Sequence, residues 1–276
     1  HRDLHSFPTR RSSDLPGKRL VETIPHFHHT RRRYDALQKA VEADQYRRVA
    51  TASREIEFAL KHEAMVDVLR KALDRGEIPE RVAHNDTKFN NVMLDWETGE
   101  ALCVLDLDTV MPGSVLYDFG DMVRTTTSPT LEDEKDLRKV VMQLPMFEAL
   151  THGYLDSVAP FLTEAEREYL VFAGKLITFT IGLRFLTDYL SGDKYFRIHR
   201  PEHNLDRCRT QFRLVDSIDQ QEAAMQRTVK QLWQRVAAEG GGALRKRQPT
   251  ILPAAKAKPG SRPSPRKPGR TRPARG

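Results

Sequence analysis

Asp86 and Asn91 stand five residues apart in His84-Asn85-Asp86-Thr87-Lys88-Phe89-Asn90-Asn91, and Asp106 follows in Val104-Leu105-Asp106-Leu107-Asp108. A carboxylate followed at that spacing by an amide, then by a hairpin ending in a second carboxylate, supplies a proton acceptor and hard-oxygen ligands for Mg²⁺. Phosphoryl transfer uses this equipment, because it asks the protein mainly for positioning and charge neutralisation. Asp86, on a loop before a strand, can accept a hydrogen bond from an attacking hydroxyl and take its proton. Asn91 offers an amide oxygen to the metal, and Asp106 returns to the same end if the turn lies at Thr98-Gly99. Lys88 can reach the transferring phosphoryl oxygens as a point charge. Asp108 shares a face with Asp106 if the strand runs that far, as a second metal or water ligand. His84 and Asp118 are read as supports, since an acid after the metal loop more often holds backbone amides or the loop histidine than touches substrate. A lone D-x-x-x-x-N arises often by chance; the hairpin, Asp106 and Tyr117-Asp118-Phe119-Gly120-Asp121 together make chance a poor explanation.

The elements that must position these groups are mostly helical. Residues 20–25 can be extended, Thr30 is a plausible N-cap for a helix through Tyr34 and Leu37, and the stripe from Ile56 to Leu73 predicts a second helix over 51–75. Gly76 is its expected C′ residue. Val92 to Asp95 and Ala101 to Leu107 read as two strands, the second buried, joined by a turn at 96–99 in which Gly99 supplies a positive φ. Thr130, with Glu132 and Asp133, is expected to open a helix that Pro145 kinks or ends. Thr163 and Glu166 form a capping box for a long helix closed by Gly192, and residues 207–238 read as one or two amphipathic helices. His26, His28 and His29 are a possible metal-ligand source, but exposed loop histidines are the stronger reading.

Composition bounds the partners. The formal charge of +7 is uneven: residues 240–276 hold 11 basic and no acidic residues, whereas 16–239 hold 31 basic against 36 acidic. The body is mildly acidic and the basic character belongs to the tail, which is expected to be disordered and to make at most weak, non-specific nucleic-acid contact. Two cysteines give no disulfide framework, and no signal peptide is evident, so a cytoplasmic setting is expected. Tyr169 to Leu186 is nearly as long as a membrane span but carries Lys175, Arg184 and two glycines, and is read as a buried helix without membrane contact.

His84-x-Asp86 with Asn91, Asp106 and Asp118 resembles the aminoglycoside phosphotransferase and choline kinase superfamily, whose fold is protein-kinase-like. The stretches 84–91, 98–113 and 117–121 look most like the N-acetylhexosamine 1-kinases, and the likeness runs from about Leu20 to Val215. It implies transfer from ATP, with Mg²⁺, to the anomeric hydroxyl of a small-molecule sugar, with Asp86 as base and Asn91 and Asp106 as metal ligands. It also matches Arg184 and Tyr195 to the family's sugar pocket. A charged residue in an apolar helix needs a partner, so an ion pair between Arg184 and Asp188 is the alternative, and Tyr195 can equally be a packed aromatic. The expected fold class is α+β, a mainly helical kinase-like C-terminal lobe with a catalytic-loop β-hairpin. The N-terminal sheet lobe is expected to be largely missing, because no Gly-rich strand-turn-strand unit lies between Pro16 and His84. Residues 1–15 are expected to be unstructured and resemble translated adapter sequence; the His-Arg-Asp-Leu at their start is set aside because Pro8, five residues after Asp3, cannot ligate a metal. The chain is thus expected to divide into 1–15, a lobe at 16–239 and a tail at 240–276, and to transfer little phosphate alone. Alternatives are an aminoglycoside-, choline- or other sugar-directed kinase, or an inactive sugar-binding lobe.

Overall fold

Thr30–Ala43 forms the first helix, α1, one residue after its actual cap: His29 Nδ1 accepts from Arg32 N–H at 3.4 Å, so Thr30 is already helical. The Thr30 hydroxyl is instead buried against Thr180 at 2.9 Å. The computed structural model describes residues 19–243, so the expectations for residues 1–15 and for most of the tail lie outside the described residues.

The helix expected over 51–75 is two helices, α2 at Ser53–Lys61 and α3 at Val68–Asp74, with 3₁₀ turns at Ala50–Ala52 and Glu63–Met65. No Gly or Pro marks this break. The compensation is tertiary: Asp67 takes a two-pronged contact from Arg31, and the His62 ring lies against Phe179 of a distant helix with centroids 5.8 Å apart. Gly76 closes α3 as expected, with φ +69, Gly76 N–H donating to Leu73 O and Glu77 N–H to Ala72 O, the two bonds of a Schellman motif.

Four short strands follow in two antiparallel pairs. β1 (Arg81–Ala83) pairs with β4 (Met111–Gly113), and β2 (Val92–Leu94) pairs with β3 (Ala101–Val104), Val92 opposite Val104. Asp95 Oδ1 caps the hairpin turn by accepting from Glu97 and Thr98 N–H, and Gly99 has φ +70. The second hairpin strand is neither as long nor as buried as expected. It ends at Val104, and Leu102, Leu105 and Leu107 are exposed, because nothing among the described residues packs on that face.

Helix α4 (Val115–Thr126) starts at Ser114, whose Oγ accepts from Leu116 N–H. It lies close along α6 (Glu164–Leu190): a Cβ on Gly120 would come within 2.5 Å of Ala173 O. Residues 128–143 do not form the helix expected from Thr130; they are turns with one 3₁₀ turn at Leu137–Lys139. α5 (Leu144–Val158) begins there, with Pro145 in its first turn. Proline lacks an N–H that this position does not need, so it opens the helix and does not end one. Helix α6 has the expected capping box at Thr163 and Glu166. It is long and apolar enough to cross a membrane, yet 72% of its apolar window is buried inside the protein. α7 (His203–Ala243) is one continuous helix, so the boundary expected at residue 240 falls in its last turn.

Candidate active site

The loop after β1 is fixed before its functional side chains are considered. Asn85 adopts φ +65, and its Nδ2 donates to Ala83 O and Thr109 O, each at 3.1 Å. Asn tolerates this left-handed conformation better than most residues. Gly113 leaves room for it, since a Cβ there would lie 2.5 Å from Asn85 Oδ1. Asp118, in the first turn of α4, accepts from His84 N–H at 3.0 Å and Asn85 N–H at 2.7 Å, and its carbonyl accepts from the Thr87 hydroxyl. Burial pushes the Asp118 carboxyl up to about 7, against the pull of the two amides. His84 Nδ1 accepts from Asp86 N–H and its Nε2 contacts Leu105 O at 3.1 Å, which requires the proton on Nε2. Thus His84 ties the loop to the end of the hairpin, and Asp118 holds its backbone.

Asp86 has two unlike oxygens. Oδ2 receives Lys88 Nζ at 2.6 Å and Asn91 Nδ2 at 2.9 Å, whereas no described residue donates to Oδ1. Asn91 Nδ2 also reaches Asp86 O at 2.8 Å, so its amide nitrogen is committed and its Oδ1 is left as an acceptor. Leu105 N–H donates to Asn91 O at 2.8 Å, which brings the next residue, Asp106, to the same end of the hairpin. Asp106 is exposed, in a left-handed conformation (φ 60), and no described residue donates to its carboxylate. Asn91 Oδ1 and Asp106 are hard-oxygen groups of the kind Mg²⁺ takes. Among the described residues no group of three His, Cys, Asp or Glu side chains is placed to hold a metal. A Mg²⁺ here would draw its remaining ligands from water and phosphate. Asp108 departs from the expectation. The strand has ended, residues 107–109 form a 3₁₀ turn, and the face shared with Asp106 does not exist.

Above this loop opens a cleft of about 880 Å³. Asp86 and Lys88 line it, as do Ile181, Arg184 and Phe185 of α6, and Arg207, Thr210, Gln211 and Leu214 of α7. The spacings i, i+3, i+4 and i, i+3, i+4, i+7 put each set on one helix face. Arg184 and Tyr195 therefore share the cleft with Asp86, while Asn91, Asp106 and Asp108 are not among its lining residues. The alternative ion pair of Arg184 with Asp188 is not formed. Asp188 is occupied by the N–H groups of Lys194, Tyr195 and Phe196 and by Asn204 Nδ2. The Arg184 guanidinium lies 5.4–5.5 Å from the ring centroids of Phe27, Tyr195 and Phe196, and its Nη2 donates to Tyr195 Oη at 3.3 Å. Tyr195 itself is 71% exposed, so it is not a packed core aromatic.

Two contributors were not legible beforehand. His28 is neither exposed nor beside a metal cluster: it is buried, stacks near Tyr117 and bonds Asn85 O at 2.7 Å, and burial pulls its imidazole down to about 4. Gln211 is 3% exposed and its Oε1 is buried without a hydrogen-bond partner among the described residues, a state that costs about 1–3 kcal/mol.

A carboxylate with one open oxygen, held beside a lysine at the mouth of a cleft in a mainly helical fold, has the parts that phosphoryl transfer to a hydroxyl needs. The chain belongs to the phosphotransferase enzyme family (APH), whose profile matches residues 1–150, more than half of the sequence. Its kinase-like fold agrees with the helices and small sheets seen here. The match takes in Asp86 to Asp118 and stops before Arg184, Tyr195 and Gln211.

Proposed function

We propose that the protein transfers a phosphoryl group from ATP to a hydroxyl of a neutral sugar, an N-acetylhexosamine phosphorylated at its anomeric hydroxyl, in the cytoplasm. The observation that carries the acceptor class is the charge of the cleft. Each carboxylate lining it is already paired: Asp86 with Lys88, Glu132 with Arg124 and Arg207, and Asp133 with Arg200 and His203. Arg184 and Arg197 also line it and have no carboxylate partner among the described residues. Apart from the open Asp86 oxygen, an aminoglycoside or choline-like cation would meet no unpaired acid and two arginines without a carboxylate partner among the described residues, and Arg184 already lies over one face of Phe27, Tyr195 and Phe196. A neutral polyol suffers no such repulsion. The anomeric position rests on the resemblance of residues 84–91, 98–113 and 117–121 to the hexosamine kinases.

In this reading the acceptor hydroxyl donates to Asp86 Oδ1; as its oxygen bonds the γ-phosphorus of ATP, the bond from that phosphorus to the bridging oxygen breaks, ADP leaves, and Oδ1 takes the proton. Lys88 and Asn91 hold Oδ2, which orients the carboxylate, and Lys88 also offsets negative charge on the transferring group. Asn91 and Asp106 would hold Mg²⁺, which when bound neutralises the phosphates. Asp108, on its turn, remains a candidate for a second ion or a water. The test is ³¹P NMR of the protein with MgATP and N-acetylglucosamine at high enzyme concentration. A sugar 1-phosphate is expected, formed about 10²–10⁴-fold more slowly by Asp86→Asn. Normal turnover by that variant, or phosphate on another hydroxyl, would sink the mechanism.

A further inference from the structure

Six buried side-chain polar atoms among the described residues have no hydrogen-bond partner, and two of them, Thr109 Oγ1 and Gln211 Oε1, belong to residues that line the same cleft. Gln211 is the more informative. It lies on the face of α7 that borders the cleft, with Thr210 and Leu214, and neither end of its amide bonds any described residue. Thr210 next to it is fully engaged, its hydroxyl contacting Glu134 O and Asp206 O, each at 3.1 Å. Its position is set by close helix packing. A Cβ on Gly182 would come within 3.2 Å of Gln211 Cβ and 2.5 Å of the Phe212 ring, so α6 and α7 meet closely where this amide enters the wall. An amide oxygen buried there in place of a leucine or methionine loses its hydrogen bonds to water and regains none from the described residues.

We propose that the Gln211 amide is an acceptor-binding group, exchanging a hydrogen bond with one ring hydroxyl of the sugar. The proposal rests on the sugar reading and deepens it. A hydroxyl both donates and accepts, so it pairs with either end of an amide, whereas an onium cation can use only the oxygen. The neighbouring wall from Ile181, Phe185 and Leu214 is apolar and suits the carbon face of a sugar ring. Gln211 thereby reads a hydroxyl of the acceptor at a point separate from Asp86, where the proton moves, and from Arg184, which donates to Tyr195 Oη.

The test is calorimetric titration of wild type and Gln211→Met with N-acetylglucosamine and its 3-deoxy, 4-deoxy and 6-deoxy analogues, with melting of each ligand-free protein. Methionine keeps the length of the side chain and removes its polar end. Wild type is expected to bind one deoxy analogue at least tenfold more weakly than the parent sugar. Gln211→Met is expected to bind the parent at least tenfold more weakly, to lose that discrimination, and to melt no lower than wild type. Equal affinity of the two proteins for the parent sugar overturns the role of Gln211 and leaves the sugar reading standing. A fall of several degrees in the melting point also overturns it, because the amide would then serve the fold. Absence of sugar binding by wild type defeats both readings together.

Discussion

Asp86 is held by one oxygen and open at the other, and that asymmetry follows from two neighbours in sequence, Lys88 and Asn91. The motif put these residues side by side in the sequence but aimed Lys88 at the transferring phosphoryl group and Asn91 at the metal; that both also hold Asp86 Oδ2 was not legible. His28, Asn85 and Gln211 were illegible because each acquires its role from a residue far away in the chain. His28 and Asp118 also make opposite pH predictions. Asp118, raised to about 7, favours the native state when protonated, so its contribution is complete below its usual range near 4 and is lost as pH rises through 7. His28, lowered to about 4 from 6.5, contributes above 6.5 and loses that contribution as pH falls toward 4. In urea titrations from pH 4 to 7, the stability of wild type relative to Asp118→Asn should fall with rising pH. Relative to His28→Gln it should rise between 4 and 6.5. Flat difference curves would show that neither burial is as complete as the structure has it.

At the scale of elements, the clearest dependence is on α6. Arg81 of β1 and Glu166 of the α6 capping box form an ion pair, 2.7 Å, in which both side chains are fully buried. Glu166 thus closes its helix and anchors the strand that leads into the catalytic loop. Arg81→Met should cost about 3–5 kcal/mol in chemical denaturation, because it strands a buried carboxylate. A cost below about 1 kcal/mol would mean that water reaches the pair. Gly120→Ala should cost about 1–3 kcal/mol by forcing α4 off Ala173. The Thr163 cap, Gly76 and Gly99 were legible because caps and tight turns are decided within a few residues. The break inside 51–75, the irregular 128–143 stretch and the exposed hairpin face were not, because tertiary contacts or their absence decide them. Thr130, Glu132 and Asp133 read as a helix start; the structure instead directs Glu132 and Asp133 to Arg124 and Arg200 on the cleft wall.

For the molecule as a whole, the cleft brings together the end of the catalytic loop and one face each of α6 and α7, about a hundred residues apart in sequence. The proposed neutral acceptor rests on the pairing of Glu132 and Asp133 with arginines, which leaves one oxygen of Asp86 as the cleft's open acid. The direct measurement is calorimetric titration of the protein with N-acetylglucosamine, choline and a polycationic aminoglycoside at one ionic strength. Saturable heat with the sugar and none with either cation is the predicted result. Saturable binding of choline or the aminoglycoside, with none of the sugar, would contradict it.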